Sequence, residues 1–142
     1  MVAAQPVAPS PSAAPFVRLA VVGAHLSGLP LNHQLTDRHA RLVWAGLTAS
    51  SYRLYALPRT TPPKPGLQCV TAGGSAIAVE VWELPTAAFG SFVAAVPPPL
   101  CIGTVTLSTG DEVKGFLCEP RALAEATDIT SFGSWRAYLA SL

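Results

Sequence analysis

The chain has 142 residues, half of them hydrophobic, with 12% charged side chains and a formal net charge of +1. That length suits one domain with a core of its own, and that charge offers no basic surface for nucleic acid. Cys69, Cys101 and Cys118 are odd in number, widely spaced and without a C-x-x-C pair, which argues against a disulfide framework or a structural zinc site and fits a reducing cytoplasm.

No apolar run approaches the ~20 residues of a membrane span, and the start of the chain lacks a basic stretch followed by an apolar one. The expectation is a cytoplasmic protein that does not engage a membrane. Met1 to Pro15 holds only Ala, Pro, Val, Ser and Gln after its Met; its prolines stop both helix and ladder, so it reads as a linker or tail. Residues 16–142 form the expected domain.

Within that domain, Arg18 to Gly23 is a short apolar run stopped by glycine, the pattern of a buried strand entering a tight turn. Arg41 to Leu47 and Tyr52 to Leu57 read as further strands. Pro58 to Leu67, with four prolines and a glycine, predicts a loop without regular structure. Leu67 to Thr71 and Ala76 to Leu84 flank Ala72-Gly73-Gly74-Ser75 and predict a hairpin. Pro85 to Val96 predicts a helix, with Pro85 at its first position and Phe89, Phe92, Val93 and Val96 at helical spacing. A second hairpin is expected from Leu100 to Leu107 and Glu112 to Glu119. Ser131 to Leu142 predicts a closing helix that carries Phe132, Trp135, Leu139 and Leu142 on one stripe and is capped by Ser131 or Thr130. The sum is a strand-dominated α+β domain, a closed or half-closed mixed sheet with one helix after the fifth strand and another at the C-terminus.

The candidate chemistry begins at Gly23-Ala24-His25-Leu26-Ser27-Gly28, where a glycine-rich turn leaving a buried strand presents backbone N–H groups to an anion. His25 at its tip can exchange a proton near neutral pH, or it can simply cap the turn; spacing leaves both readings open. His33 and His39 lie in a polar stretch and are expected in solvent. In the strand from Ala76 to Leu84, Glu80 and Glu83 fall on opposite faces, so if both faces are covered one glutamate points inward and needs a partner. Lys64, held between prolines in PPKPG, presents a cation on stiff backbone. Arg53 and Lys114 are further cations on strands, each equally able to be a surface residue with a snorkelling stem. No G-x-S-x-G elbow, phosphate-binding loop or G-x-G-x-x-G fingerprint is present.

Four segments, VVGAHLSGLPLNHQL, YRLYALPRTTPPKPGL, EVWELPTAAFGSFVAAVPPPLCIGTVTLSTGDEVKGFLCE and DITSFGSWRAYLA, together resemble the C-terminal domain of allophanate hydrolase from Leu19 to Ala140. The resemblance implies a γ-glutamylcyclotransferase-like fold, a small mixed β-barrel with flanking helices. It also implies an amidase-signature domain or chain as partner, and an activity on N-carboxycarbamate, the amidase product of allophanate, that releases carbon dioxide and ammonia in urea or cyanuric-acid degradation. The functional histidine of the family falls on His25, with His33 the second choice. No metal or organic cofactor is implied. Around this small anionic substrate the expected binding residues are Gly23, Ala24, Leu26, Tyr52, Arg53, Lys64, Pro65, Gly66, Glu80 and Lys114, with His25 as the acid that protonates the departing nitrogen.

The family's cyclotransferase relatives use a Y-G-S-type turn and a glutamate base after the central helix. This chain has Val22-Gly23-Ala24-His25 for the first, and Val93 to Leu100 holds no acid for the second, so cyclotransferase activity would need Glu80 or Glu119 acting from another strand. A non-catalytic accessory or oligomerisation domain for an amidase is the other alternative, and the apolar composition makes a homodimer an expectation as well.

Overall fold

A computed structural model describes residues 15–142. The predicted linker therefore lies outside the described residues except for Pro15, whose carbonyl accepts the Thr86 amide at 2.9 Å. Five strands form the main sheet in the order β2-β5-β1-β7-β6: β1 Phe16–Val21, β2 Arg41–Leu47, β5 Ala78–Pro85, β6 Leu100–Thr106 and β7 Glu112–Cys118. Three more, β3 Tyr52–Ala56, β4 Pro65–Cys69 and β8 Thr127–Asp128, form a second sheet in the order β4-β3-β8. The helices are α1 His33–Thr36, α2 Thr86–Ala94 and α3 Trp135–Ala140, with 3-10 turns over Pro120–Glu125 and Thr130–Phe132. Among the described residues no helix is long and apolar enough to cross a membrane.

Strand β1 lies at the centre, antiparallel to β5 and parallel to β7. Both of its faces are covered, which explains why its second half is a continuous apolar run: Leu19, Ala20 and Val21 are all buried, as is Val22 just beyond it. The sheet curls until its two edges meet at one end, where Thr48 and Leu107, just beyond β2 and β6, form an antiparallel bridge. Ala49 donates to Thr106 O and Ser108 to Leu47 O, each at 2.9 Å. Tyr52 locks the same corner. Its hydroxyl accepts the Thr106 amide at 2.8 Å, while its ring, 1% exposed, lies in the core.

The mixed α+β architecture, the hairpin of β6 and β7 and the helix after the fifth strand agree with the sequence reading. Four local expectations are corrected. First, β4 and β5 are not a hairpin: β4 pairs with β3, and β5 with β1 and β2. The glycine pair carries the chain between the sheets. Gly73 adopts φ +75°, and Gly74 lies so close to the Ser51–Tyr52 backbone that a Cβ there would sit 2.7 Å from Tyr52 N. Second, the proline-rich loop ends earlier than expected, because Pro65 and Gly66 already belong to β4; proline is tolerated as the first residue of a strand. Third, the closing helix begins at Trp135, since Gly133 at φ +73° ends the preceding 3-10 turn and Ser134 is the cap, accepting from Ala137 N. Of the predicted stripe, Trp135 is buried, whereas Phe132 and Leu142 are exposed. Pro85, likewise, precedes α2 with extended backbone rather than forming its first turn.

Candidate functional site

The turn after β1 has its backbone carbonyls satisfied from within the fold. Five successive carbonyls are occupied: Gly23 O accepts Leu26 N at 3.0 Å, Ala24 O accepts Leu31 N at 2.9 Å and Leu26 O accepts Leu29 N at 3.0 Å. His25 O accepts Asn32 Nδ2 at 2.9 Å, and Ser27 O accepts the Arg136 guanidinium at 2.6 Å. A turn whose carbonyls are all paired has no low-cost alternative shape. From behind, Glu80 of β5 receives both the amide and the hydroxyl of Ser27, at 2.8 and 2.6 Å, and the Trp82 indole N–H at 3.1 Å. Burial alone would raise the Glu80 pKa, but these bonds and the nearby Arg136 outweigh it and hold the carboxyl below its ordinary value.

Held this way, the His25 side chain points to the other side of the turn and is buried, with 8% of the residue exposed. Its ring stacks on Phe116 of β7 at 4.8 Å between centroids and meets Phe92 of α2 edge-on at 5.4 Å. Nε2 lies 2.8 Å from Gln34 Oε1 on α1. Desolvation is the largest influence on its pKa and lowers it; the Gln34 bond raises it in part, and the positive fields of Lys64 and His33 lower it again. The net result favours the neutral imidazole, with a single ring proton, at neutral pH.

Two spaces share this ring in their lining. A cleft of about 180 Å³ is lined by His25, Gln34, Thr61, Lys64, Phe92 and Phe116, among others. A smaller recess of about 20 Å³ lies under Gly23, Ala24, Lys64 and Pro65. Lys64 is therefore the cation that the fold brings to His25, and no aspartate or glutamate lines either space.

The remaining residues named from the sequence lie elsewhere. Arg53 faces the second sheet's edge and pairs with Asp128 at 3.0 Å. Lys114 is exposed and donates to Thr104 Oγ1 at 3.2 Å. Tyr52 is a core residue, as above, and Gly66 packs on Cys118 and Leu57. Leu26 and Glu80 line a separate hollow on the reverse of the turn, together with Ser134 and Arg136. The clamp of three cations expected from the sequence is thus reduced to Lys64, because β3 and the outer part of β7 carry Arg53 and Lys114 to solvent. His33 and His39 are exposed, as expected. Among the described residues no three His, Cys, Asp or Glu side chains are grouped to hold a metal.

Residues 17–140 match the family described as the allophanate hydrolase C-terminal domain. The chain belongs to this family. It is 44% identical over 142 residues to the urea amidolyase of Saccharomyces cerevisiae, a match that covers 97% of this chain and 8% of that protein. Among solved structures, an allophanate hydrolase of Kluyveromyces lactis superposes with a TM-score of 0.86 at 45% identity, covering 94% of this chain and 22% of that one. A uropathogenic Escherichia coli-specific protein superposes with a TM-score of 0.82 at 34% identity, and there the match spans 89% of this chain and 98% of the other. An AIG2-like protein from Mus musculus, 19% identical with a TM-score of 0.54, shares the fold alone. The γ-glutamylcyclotransferase-like fold is therefore that of this allophanate hydrolase C-terminal domain, and the chain spans under a tenth of the curated relatives it matches, 8% and 7%.

Sequence reasoning missed Gln34, Phe92 and Phe116 as partners of His25. Phe92 and Phe116 were placed on elements but carried no signal of where those elements pack. Gln34 stands nine residues beyond His25, across a turn, at a spacing that corresponds to no helix or strand period.

Proposed function

We propose that this domain promotes the loss of carbon dioxide from N-carboxycarbamate, the dicarboxylate left when an amidase removes ammonia from allophanate, and that the carbamate formed breaks down to a second carbon dioxide and ammonia. An amidase-signature domain, on the same chain or another, supplies the substrate. The single observation that carries this reading is the buried imidazole of His25 sharing a cleft with Lys64 and with no carboxylate, in surroundings whose desolvation favours the neutral ring.

The chemistry matches those charges. Lys64 pairs with one substrate carboxylate, and Gly23 and Ala24 line the recess beside it. The other carboxyl, in its protonated form, gives its proton to His25, which returns it to the substrate nitrogen. The C–N bond then breaks, its electron pair stays on nitrogen, and carbon dioxide leaves carbamate behind. Because burial keeps the ring neutral, His25 acts as a proton relay and not as a standing acid. Phe92 and Phe116 keep water from the ring, which strengthens the pairing with Lys64.

The test is a coupled assay in which an amidase without its own C-terminal domain is supplied with allophanate and carbon dioxide release is followed as this chain is added. Acceleration that disappears in His25→Ala is the expected result. Unaided decay of the intermediate at an unchanged rate, with the added chain folded, would overturn the catalytic reading in favour of an accessory domain.

A further inference from the structure

We infer that Gln34 is a positioning residue that holds His25 in a single tautomer, with Nε2–H donated to Gln34 Oε1 and Nδ1 left bare toward the cleft. The inference rests on the relay reading above for its consequence, though not for its geometry.

The backbone of Gln34 is itself held. Its main-chain N–H donates to Leu31 O at 3.0 Å, and its main-chain carbonyl accepts Arg38 Nη1 at 2.9 Å. One residue pair earlier, Asn32 Nδ2 grips the His25 carbonyl at 2.9 Å, so α1 and the turn leading into it fix residue 25 at both backbone and ring. Phe116 on one face and Phe92 at the edge prevent the ring from turning. No partner for Nδ1 is present among the described residues, and no buried side-chain nitrogen or oxygen among them lacks a partner. Nδ1 is therefore not sealed in the core, and the spaces that His25 lines are the cleft and the recess beside Lys64.

The proton on one imidazole nitrogen is set by the bond the other makes. An amide oxygen at Nε2 requires that nitrogen to carry the proton, and so leaves Nδ1 with the lone pair that a relay needs. A carboxylate in the same place would also favour Nε2–H, but it would stabilise the imidazolium and put a proton on Nδ1 as well. The charged groups facing the ring are Lys64, from the loop before β4, and His33 of α1, and both favour the neutral form. Phe92 of α2, Leu100 of β6 and Phe116 of β7 carry no charge.

The experiment is nitrogen NMR on the whole chain labelled with 15N-histidine, combined with the coupled assay across pH for Gln34→Met and Gln34→Glu. The expected wild-type spectrum at pH 7.5 shows protonated Nε2 and unprotonated Nδ1 for His25. Gln34→Met is expected to give a tautomer mixture and roughly a ten-fold fall in kcat with little change in KM. Gln34→Glu is expected to raise the His25 titration and to move the acid limb of the rate profile upward with it. A wild-type Nδ1–H tautomer, or a tautomer unchanged in folded Gln34→Met, overturns the assignment whatever the activity. A His25 titration that moves in Gln34→Glu while the rate profile stays put supports the positioning role and removes the relay.

Discussion

Gly23 and Pro65 lie in such close contact that a Cβ built on Gly23 would meet the proline ring's Cγ at 2.6 Å, with Cδ closer still. Glycine is required there for space, because its backbone is not left-handed. Gly23→Ala must push the turn and the Lys64–Pro65 segment apart, at a cost of about 1–3 kcal/mol. Chemical denaturation would register that loss, and carbon dioxide release in the coupled assay is expected to fall further than stability alone explains, since His25 and Lys64 separate.

Only one of the three cations named from the sequence shares the cleft, which makes the comparison among them informative. Lys64→Ala is expected to weaken substrate binding by roughly ten-fold, from the loss of a charge-assisted bond. Arg53→Ala and Lys114→Ala are expected to leave KM unchanged, as their partners Asp128 and Thr104 are on the surface. KM values for the three variants decide it; a Lys114 effect as large as that of Lys64 would refute the cleft assignment.

Acid should destabilise the fold through His25. Its folded pKa is lowered by burial below the ordinary value of about 6.5, so the unfolded chain binds a proton that the native chain does not. The stabilisation is complete above about pH 6.5 and declines as the pH falls from there toward the folded pKa. Urea midpoints measured from pH 8 to pH 5 should drop over that window, and the drop should be smaller in His25→Phe.

Tyr52 holds a corner of the curled main sheet and takes no part in the proposed chemistry. Removing its hydroxyl in Tyr52→Phe leaves the Thr106 amide without its acceptor, for a loss of about 1–3 kcal/mol. Thermal melting should reveal the loss, whereas the rate of the folded variant in the coupled assay should match the parent.

Local signals in the sequence were sufficient for several features because their physical causes are local. The buried run of β1, the turn rich in glycine after it, and the Ser108–Asp111 hairpin all follow from period, punctuation and turn chemistry within a few residues. The same limits explain the errors. Gly73-Gly74 looks like a hairpin turn when only φ freedom is considered, yet Gly74 serves a close approach to the Ser51–Tyr52 backbone that no local pattern encodes. The long C-terminal stripe failed at Gly133, where a left-handed residue breaks the helix.

By itself, then, the sequence determined an α+β domain, the position of a histidine at the mouth of a turn, and, through the resemblance of its motifs, the family. Tertiary structure decided which groups that histidine meets. Lys64 reaches it because β4 runs beside the turn, Gln34 because the chain doubles back into α1, and Phe92 and Phe116 because α2 and β7 pack over the end of β1. Arg53 and Lys114 are excluded by the same packing. A protonation state depends on desolvation and on partners brought from distant parts of the chain, and neither can be read until the chain has folded.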